Sequence, residues 1–228
     1  MFILINKPAG WTSHDVIGRL RRITGEKRIG HAGTLDPFAT GLLIVAISRE
    51  STKQIDQFVK LNKEYLATIK LGATTDTYDK TGKIQKSKEA IKQENKNIKK
   101  ALESFIGPQL QIPPMFSAKK VNGKKLYELA RRGKEIERKP SQINITDLEI
   151  IDYHWPDLKI KVNCSSGTYI RSLAHDLGIK LGCGGYLEEL TRTKIGNFDL
   201  KNAITLDKLT PENWQTLVHS TEYTVPSI

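Results

Sequence analysis

Residues 28–43 read RIGHAGTLDPFATGLL, and how this stretch is understood decides the rest of the chain. It sets one carboxylate, Asp36, between two short runs rich in glycine and alanine, 30–33 and 39–41. Pro37 follows directly and pushes Asp36 away from the helical region into an extended conformation. Upstream a helix is expected to close at Gly25; downstream an apolar strand is expected over 42–47. The acid therefore stands on a loop between regular elements, where catalytic groups concentrate. Asp-Pro is also an ordinary turn dipeptide. On residue types alone, simple chain turning has the stronger claim.

Working outward toward the N-terminus, residues 2–5 (FILI) predict a short strand, and Lys7, Pro8, Ala9 and Gly10 a turn into a helix. Ser13 suits the N-cap and Asp15 the positive end of that helix. Val16, Ile17, Leu20 and Ile23 recur on one face before Gly25 ends it. Arg19, Arg21 and Arg22 lie opposite, either as a solvated face or as phosphate contacts.

Toward the C-terminus, residues 42–47 are too uniformly apolar for a half-exposed strand and predict a buried one. A helix over 52–59 turns Ile55, Phe58 and Val59 inward. KEYLATIKLG (63–72) alternates as a sheet strand should, with Tyr65 at its start. TTDTYDKTG (74–82) lacks the closing acid of a calcium loop, Ser87 standing in that place, and reads as a turn. A lysine-rich helix is expected over 87–106, with Ile91, Ile98, Ala101, Leu102 and Phe105 inward and Gly107-Pro108 as its stop.

Residues 111–140 change in composition: paired prolines are followed by Lys119, Lys120, Arg131, Arg132 and other cations interleaved with Phe116 and Tyr127. Cations that meet phosphates and rings that stack on bases suit an RNA-gripping surface, although a basic amphipathic helix has a similar pattern. Strands over 143–151 and 158–165 then lead to GTYIRSLAHDLG (167–178), a helix expected to end at Gly178. Arg171 falls in its first turn, where the helix dipole disfavours a cation. Something must hold it there, and Asp176 or solvent are the local candidates.

The 228 residues suffice for a substantial core. Lys and Arg number 36 against 25 Asp and Glu, a formal charge of +11, which favours a polyanionic partner. Nucleic acid leads over an anionic membrane, because no apolar run approaches a membrane span and no signal pattern opens the chain. A cytoplasmic location is expected. Cys164 and Cys183 have no metal-ligand or disulfide spacing, and Cys164 shares a core-facing alternation with Leu158, Ile160 and Val162. No phosphate-binding or dinucleotide fingerprint points to a cofactor.

GHAGTLDPFATGLL (30–43) closely resembles the catalytic motif of the TruB-type pseudouridine synthases. FILINKPAGWTSHDVI (2–17), PPMFSAKKVNGKKLYELARRG (113–133), the GTYIRS motif and GYLEELTRTKIGNFDL (185–200) resemble further segments of that family, so the likeness runs over residues 2–206. The resemblance implies an α+β pseudouridine synthase fold: a mixed, largely antiparallel sheet flanked by helices, within a catalytic domain over 1–207. The family's inserted RNA-binding thumb falls at 111–140. A short segment, 208–228, stands where many members continue into a PUA domain.

The implied activity is isomerisation of the T-loop uridine at position 55 of tRNA to pseudouridine, without cofactor, metal, membrane or required protein partner. Asp36 would act at C1′ or C6, or take the C2′ proton. Tyr65 would stack on the target base, Arg171 pair with Asp36, and Leu190 line the pocket. His31 would fill the space that the extruded base vacates; by residue type alone it is equally a general base or a local hydrogen-bonding group. Lys7, Lys119, Lys120, Arg131 and Arg132 are the expected RNA contacts on the T stem-loop. The alternatives are an RNA-guided synthase of the dyskerin type, a non-catalytic RNA-binding or RNA-folding module, and an aspartate-based hydrolase.

Overall fold

A computed structural model of the chain describes residues 1–87, 90–117, 119–121, 123–130, 132–134 and 136–219. Two compact units are present, Met1–Tyr65 with Thr191–Ile228, and Leu66–Leu190.

In the first unit the strand Phe2–Lys7 runs antiparallel to Thr40–Ile47, from the pair Phe2 and Ala46 to the pair Lys7 and Gly41. Ile204–Thr205 adds in parallel to the outside of Phe2–Lys7, and Thr191 and Arg192 pair in parallel with Thr40 and Gly41. Side chains alternate across a sheet, and here both faces are covered. Ile3, Ile5, Leu43 and Val45 meet Val16, Ile17, Leu20 and Ile23 of the helix Ser13–Thr24 on one face. Leu4, Leu42 and Ile44 meet Phe58, Ile195 and Phe198 on the other. This two-sided burial is why residues 42–47 are apolar without interruption. Leu209, Trp214 and Val218 join the first of these cores, so the C-terminal segment, as far as residue 219, is packed into this unit.

The first helix closes at Gly25 as expected, in the left-handed conformation. Its N-cap is Thr12 rather than Ser13. The Thr12 hydroxyl accepts from the Asp15 N–H at 3.0 Å, and the Asp15 carboxylate accepts from the Thr12 N–H at 2.8 Å. This reciprocal box satisfies two exposed donors and leaves Ser13 free for another partner. The helix expected over 52–59 is two short ones, Arg49–Lys53 and Ile55–Val59, separated at Gln54.

In the second unit the strands Asp157–Cys164, Ser141–His154 and Gly107–Gln111 lie side by side in that order, both pairings antiparallel. Leu158, Ile160, Val162 and Cys164 all face the core, as their alternation predicts. The helix Asn95–Glu103 packs on Ser141–His154 and on the helix Ile170–Lys180. It is shorter than its lysine-rich stretch suggests. Ile91 lies ahead of it and is 71% exposed. Its neighbours are mostly charged and amide residues, and without packing a short helix does not persist. Within residues 111–140 Lys120–Val121 pairs with Lys124–Lys125, and a short helix, Leu126–Ala130, follows with Leu126 fully buried.

Gly178 does not end its helix, which continues to Lys180. It is there because a Cβ at this position would lie 2.0 Å from the backbone nitrogen of Gly185. Gly178→Ala is therefore expected to destabilise the fold by about 3 kcal/mol or more, beyond the usual range of overpacking because the obstacle is backbone. A denaturant titration that finds less than about 1 kcal/mol, the low end of that range, would show that the two segments separate easily.

Candidate active site

Asp36 sits at the tip of a hairpin. Ile29–His31 runs antiparallel to Thr40–Ile47, with Ile29 opposite Ile47 and His31 opposite Val45, and the Ala32 N–H continues the ladder to the Ile44 carbonyl at 2.9 Å. The chain between them turns at Asp36, whose carbonyl accepts from the Ala39 N–H at 3.1 Å. Pro37 follows the acid at this turn, the use that its fixed φ suits. Asp36 itself is half-buried.

Three side chains fasten the backbone of this loop. The Ser13 hydroxyl accepts from the Leu35 N–H at 2.9 Å and reaches the Leu35 carbonyl at 3.3 Å. The Lys7 ammonium donates to the carbonyls of Trp11, Pro8 and Pro37 at 2.6, 2.9 and 3.3 Å. Arg192 donates from Nε to the Leu42 carbonyl at 2.7 Å and from Nη2 to the Gly33 carbonyl at 3.1 Å. A backbone contact, from the Gly10 N–H to the Pro37 carbonyl at 2.8 Å, completes the set. Gly41 is required by the same closure. At its φ of +105° a Cβ would come 2.4 Å from the Arg192 carbonyl oxygen.

Lys7 is thus corrected from its expected place on the RNA-facing surface. It is completely buried, and its three donors are spent on carbonyls of its own turn and of the Asp36 loop. Burial, and less strongly the Arg192 charge, pull its pKa down to about 8, against the opposing charges of Asp36 and Asp15. A cation beside a carboxylate favours the charged carboxylate.

His31 stands at the start of the same loop. Burial first, then the charges of Arg192 and His14, lower its pKa below the ordinary value, with the Gly33 backbone opposing, so it is neutral near pH 7. Its Nδ1 is buried and meets no hydrogen-bond partner of good geometry among the described residues. Tyr65, near the start of Lys63–Leu71, is 8% exposed and so is largely covered rather than projecting.

In the second unit Arg171 is no surface residue. It is 4% exposed, and the Asp79 carboxylate, equally buried, lies 3.2 Å from Nη1. Nη1 also donates to the Thr77 carbonyl at 3.2 Å, and Nη2 to the Phe116 carbonyl at 2.7 Å. The other Asp79 oxygen accepts from the Thr77 hydroxyl at 2.9 Å and from the Thr81 N–H at 2.9 Å. A buried ion pair needs bonds of this kind to offset its desolvation. The cation at the helix start is met by Asp79, a residue of the 74–82 turn. Gln111 steadies the same helix end, its amide bonding both the N–H and the carbonyl of Tyr169 at 2.8 and 3.0 Å.

Of the remaining expected residues, Leu190 is buried at 7% exposure. Lys119 is half-buried and donates to the Ser141 hydroxyl. Arg132 is exposed in a turn after Leu126–Ala130. Arg131 and the side chain of Lys120 lie outside the described residues. No group of acids, histidines or cysteines that could hold a metal occurs among the described residues.

Residues 21–170 match the family described as TruB family pseudouridylate synthase (N terminal domain), and residues 171–223 match the tRNA pseudouridylate synthase B C-terminal domain. The chain belongs to the TruB family. Among its TruB relatives, tRNA pseudouridine synthase B of Protochlamydia amoebophila (strain UWE25) is 50% identical over 202 residues, 89% of this chain and 76% of the relative. The enzyme of the same name from Clostridium tetani (strain Massachusetts / E88) is 46% identical over 216 residues, 95% of this chain and 74% of the relative. The solved Cbf5-Nop10-Gar1 complex contains a chain that aligns with a TM-score of 0.73 at 27% identity. The alignment covers 96% of this chain and 56% of that one, so the TruB-family chain spans little more than half of that relative.

Sequence reading missed Asp79, which bonds Arg171 in the second unit, and Arg192, which bonds the Asp36 loop in the first. Arg192 did leave a signal, since it shares its side of the strand with the buried Leu190. Asp79 left none, standing in a turn rich in acids and hydroxyls where any one of them could have been the partner.

Proposed function

We propose that this chain isomerises the T-loop uridine at position 55 of tRNA to pseudouridine, with Asp36 as the reacting carboxylate. The N1–C1′ bond breaks and a C5–C1′ bond forms; C5 gives up one proton and N1 gains one, so the reaction consumes no oxidant and imports no group. The carboxylate acts at C1′ or C6, or at the C2′ proton. Extruding the uridine from its loop costs roughly a few kcal/mol in lost stacking. Tyr65 offsets part of this by stacking on the base, and a neutral His31 fills the vacated space. Arg171 supplies the reaction's cation, its orientation fixed by Asp79. Arg132 and Lys119, with the other thumb cations, contact the T stem-loop phosphates.

The observation that carries this reading is the fastened turn: a half-buried carboxylate on a loop tied at Gly33, Leu35, Pro37 and Leu42. Catalysis needs reacting groups held in place before the substrate arrives. The names of the tRNA pseudouridine synthase B relatives support tRNA as the substrate.

The second reading is the RNA-guided one; the likeness to Cbf5, solved in a complex with Nop10 and Gar1, supports action within an assembly. Both are tested by treating an unmodified tRNA transcript with the purified chain alone and mapping pseudouridine. Product at the T-loop uridine, without guide RNA or added protein, is the expected result. Product that forms only after a guide is added would select the second reading, and binding without product would overturn both.

A further inference from the structure

Arg192 is the largest of the fully buried side chains among the described residues, at 1% exposure. A guanidinium is expensive to bury, and persists only where its donors find acceptors. Two of the donors find Gly33, near the start of the loop, and Leu42, the third residue of the strand Thr40–Ile47 into which the loop runs. One rigid planar group therefore ties the start of the loop to the strand that follows it. Its strand is also flush against the loop's end, since the Arg192 backbone occupies the space a Cβ on Gly41 would need. The charge is felt on both sides, by Lys7 and by His31.

We propose that Arg192 is a positioning residue for the reaction: its guanidinium sets the span of the Asp36 loop and so aims the carboxylate, without itself touching the nucleotide. The inference rests on Asp36 being the reacting group. It requires the fork geometry of arginine, because a lysine ammonium at the same place is a single point and reaches one carbonyl at a time. Displacement of a reacting group by about 1 Å is enough to cost about a hundredfold in rate. A role confined to the core would lower stability and the folded fraction, and would leave the rate per folded molecule unchanged.

The test compares Arg192→Lys, Arg192→Met and Asp36→Asn with the parent. For each, the single-turnover rate of pseudouridine formation at saturating tRNA, the affinity for tRNA and the folded fraction are measured. Arg192→Lys is expected to fold and bind tRNA as the parent does, with its rate lowered by about tenfold or more; Arg192→Met should lose about a hundredfold. Rates that return to the parental value once corrected for folded fraction would overturn the proposal. So would failure of Arg192→Lys to fold, which would make the residue a core element. A fully active Arg192→Lys beside an inactive Asp36→Asn overturns this inference alone. Turnover retained by Asp36→Asn overturns the reading of Asp36, and this inference with it.

Discussion

Asp36→Asn is expected to abolish turnover, with a loss of more than about a thousandfold, on the order of 4 kcal/mol in barrier, while tRNA affinity stays close to that of the parent. The substitution keeps size and removes the ionised oxygen that must act on the nucleotide. The fold should tolerate it, because the loop is tied through its backbone: Ser13, Lys7 and Arg192 bond main-chain groups of Leu35, Pro37, Gly33 and Leu42, none of which the change touches. Product formation and affinity measured on the same preparation separate the two effects. Turnover within about tenfold of the parent, roughly 1.4 kcal/mol, would remove Asp36 from the chemistry.

Arg171→Lys should lower the rate by about a hundredfold or more, about 2.7 kcal/mol in barrier, even though the charge is kept. The guanidinium serves acceptors on separate segments at once, the Thr77 carbonyl and Asp79 in the 74–82 turn and the Phe116 carbonyl in the stretch 111–140. A lysine ammonium is flexible and compact, and does not hold a planar arrangement of acceptors. Whichever acceptor it abandons is left buried without its cation, so some loss of melting temperature is expected too. The discriminating measurement is the rate constant at saturating tRNA, corrected for folded fraction. A corrected rate equal to the parent's would show that a point charge suffices and that the fork geometry does not matter to the reaction.

The sequence by itself determined the local features. Asp36-Pro37 carries its turn in its own two residues, the helix Ser13–Thr24 has its stop in Gly25, and the strand Thr40–Ile47 declares burial on both faces by lacking polar residues. Each of these depends on neighbours in the chain, where steric preference and periodicity operate. The family was legible for the same reason, since its motif is one contiguous stretch. What the tertiary structure alone decided is where long side chains end. Lys7, an expected RNA contact, turns inward to carbonyls; Ser13, an expected cap, holds Leu35, 22 residues away. Arg171 finds Asp79 across 92 residues, and Arg192 finds Gly33 across 159. A buried cation must be neutralised or fully bonded, but nothing along the chain states by whom. That choice falls to whichever acceptors the packed sheet brings within hydrogen-bonding distance.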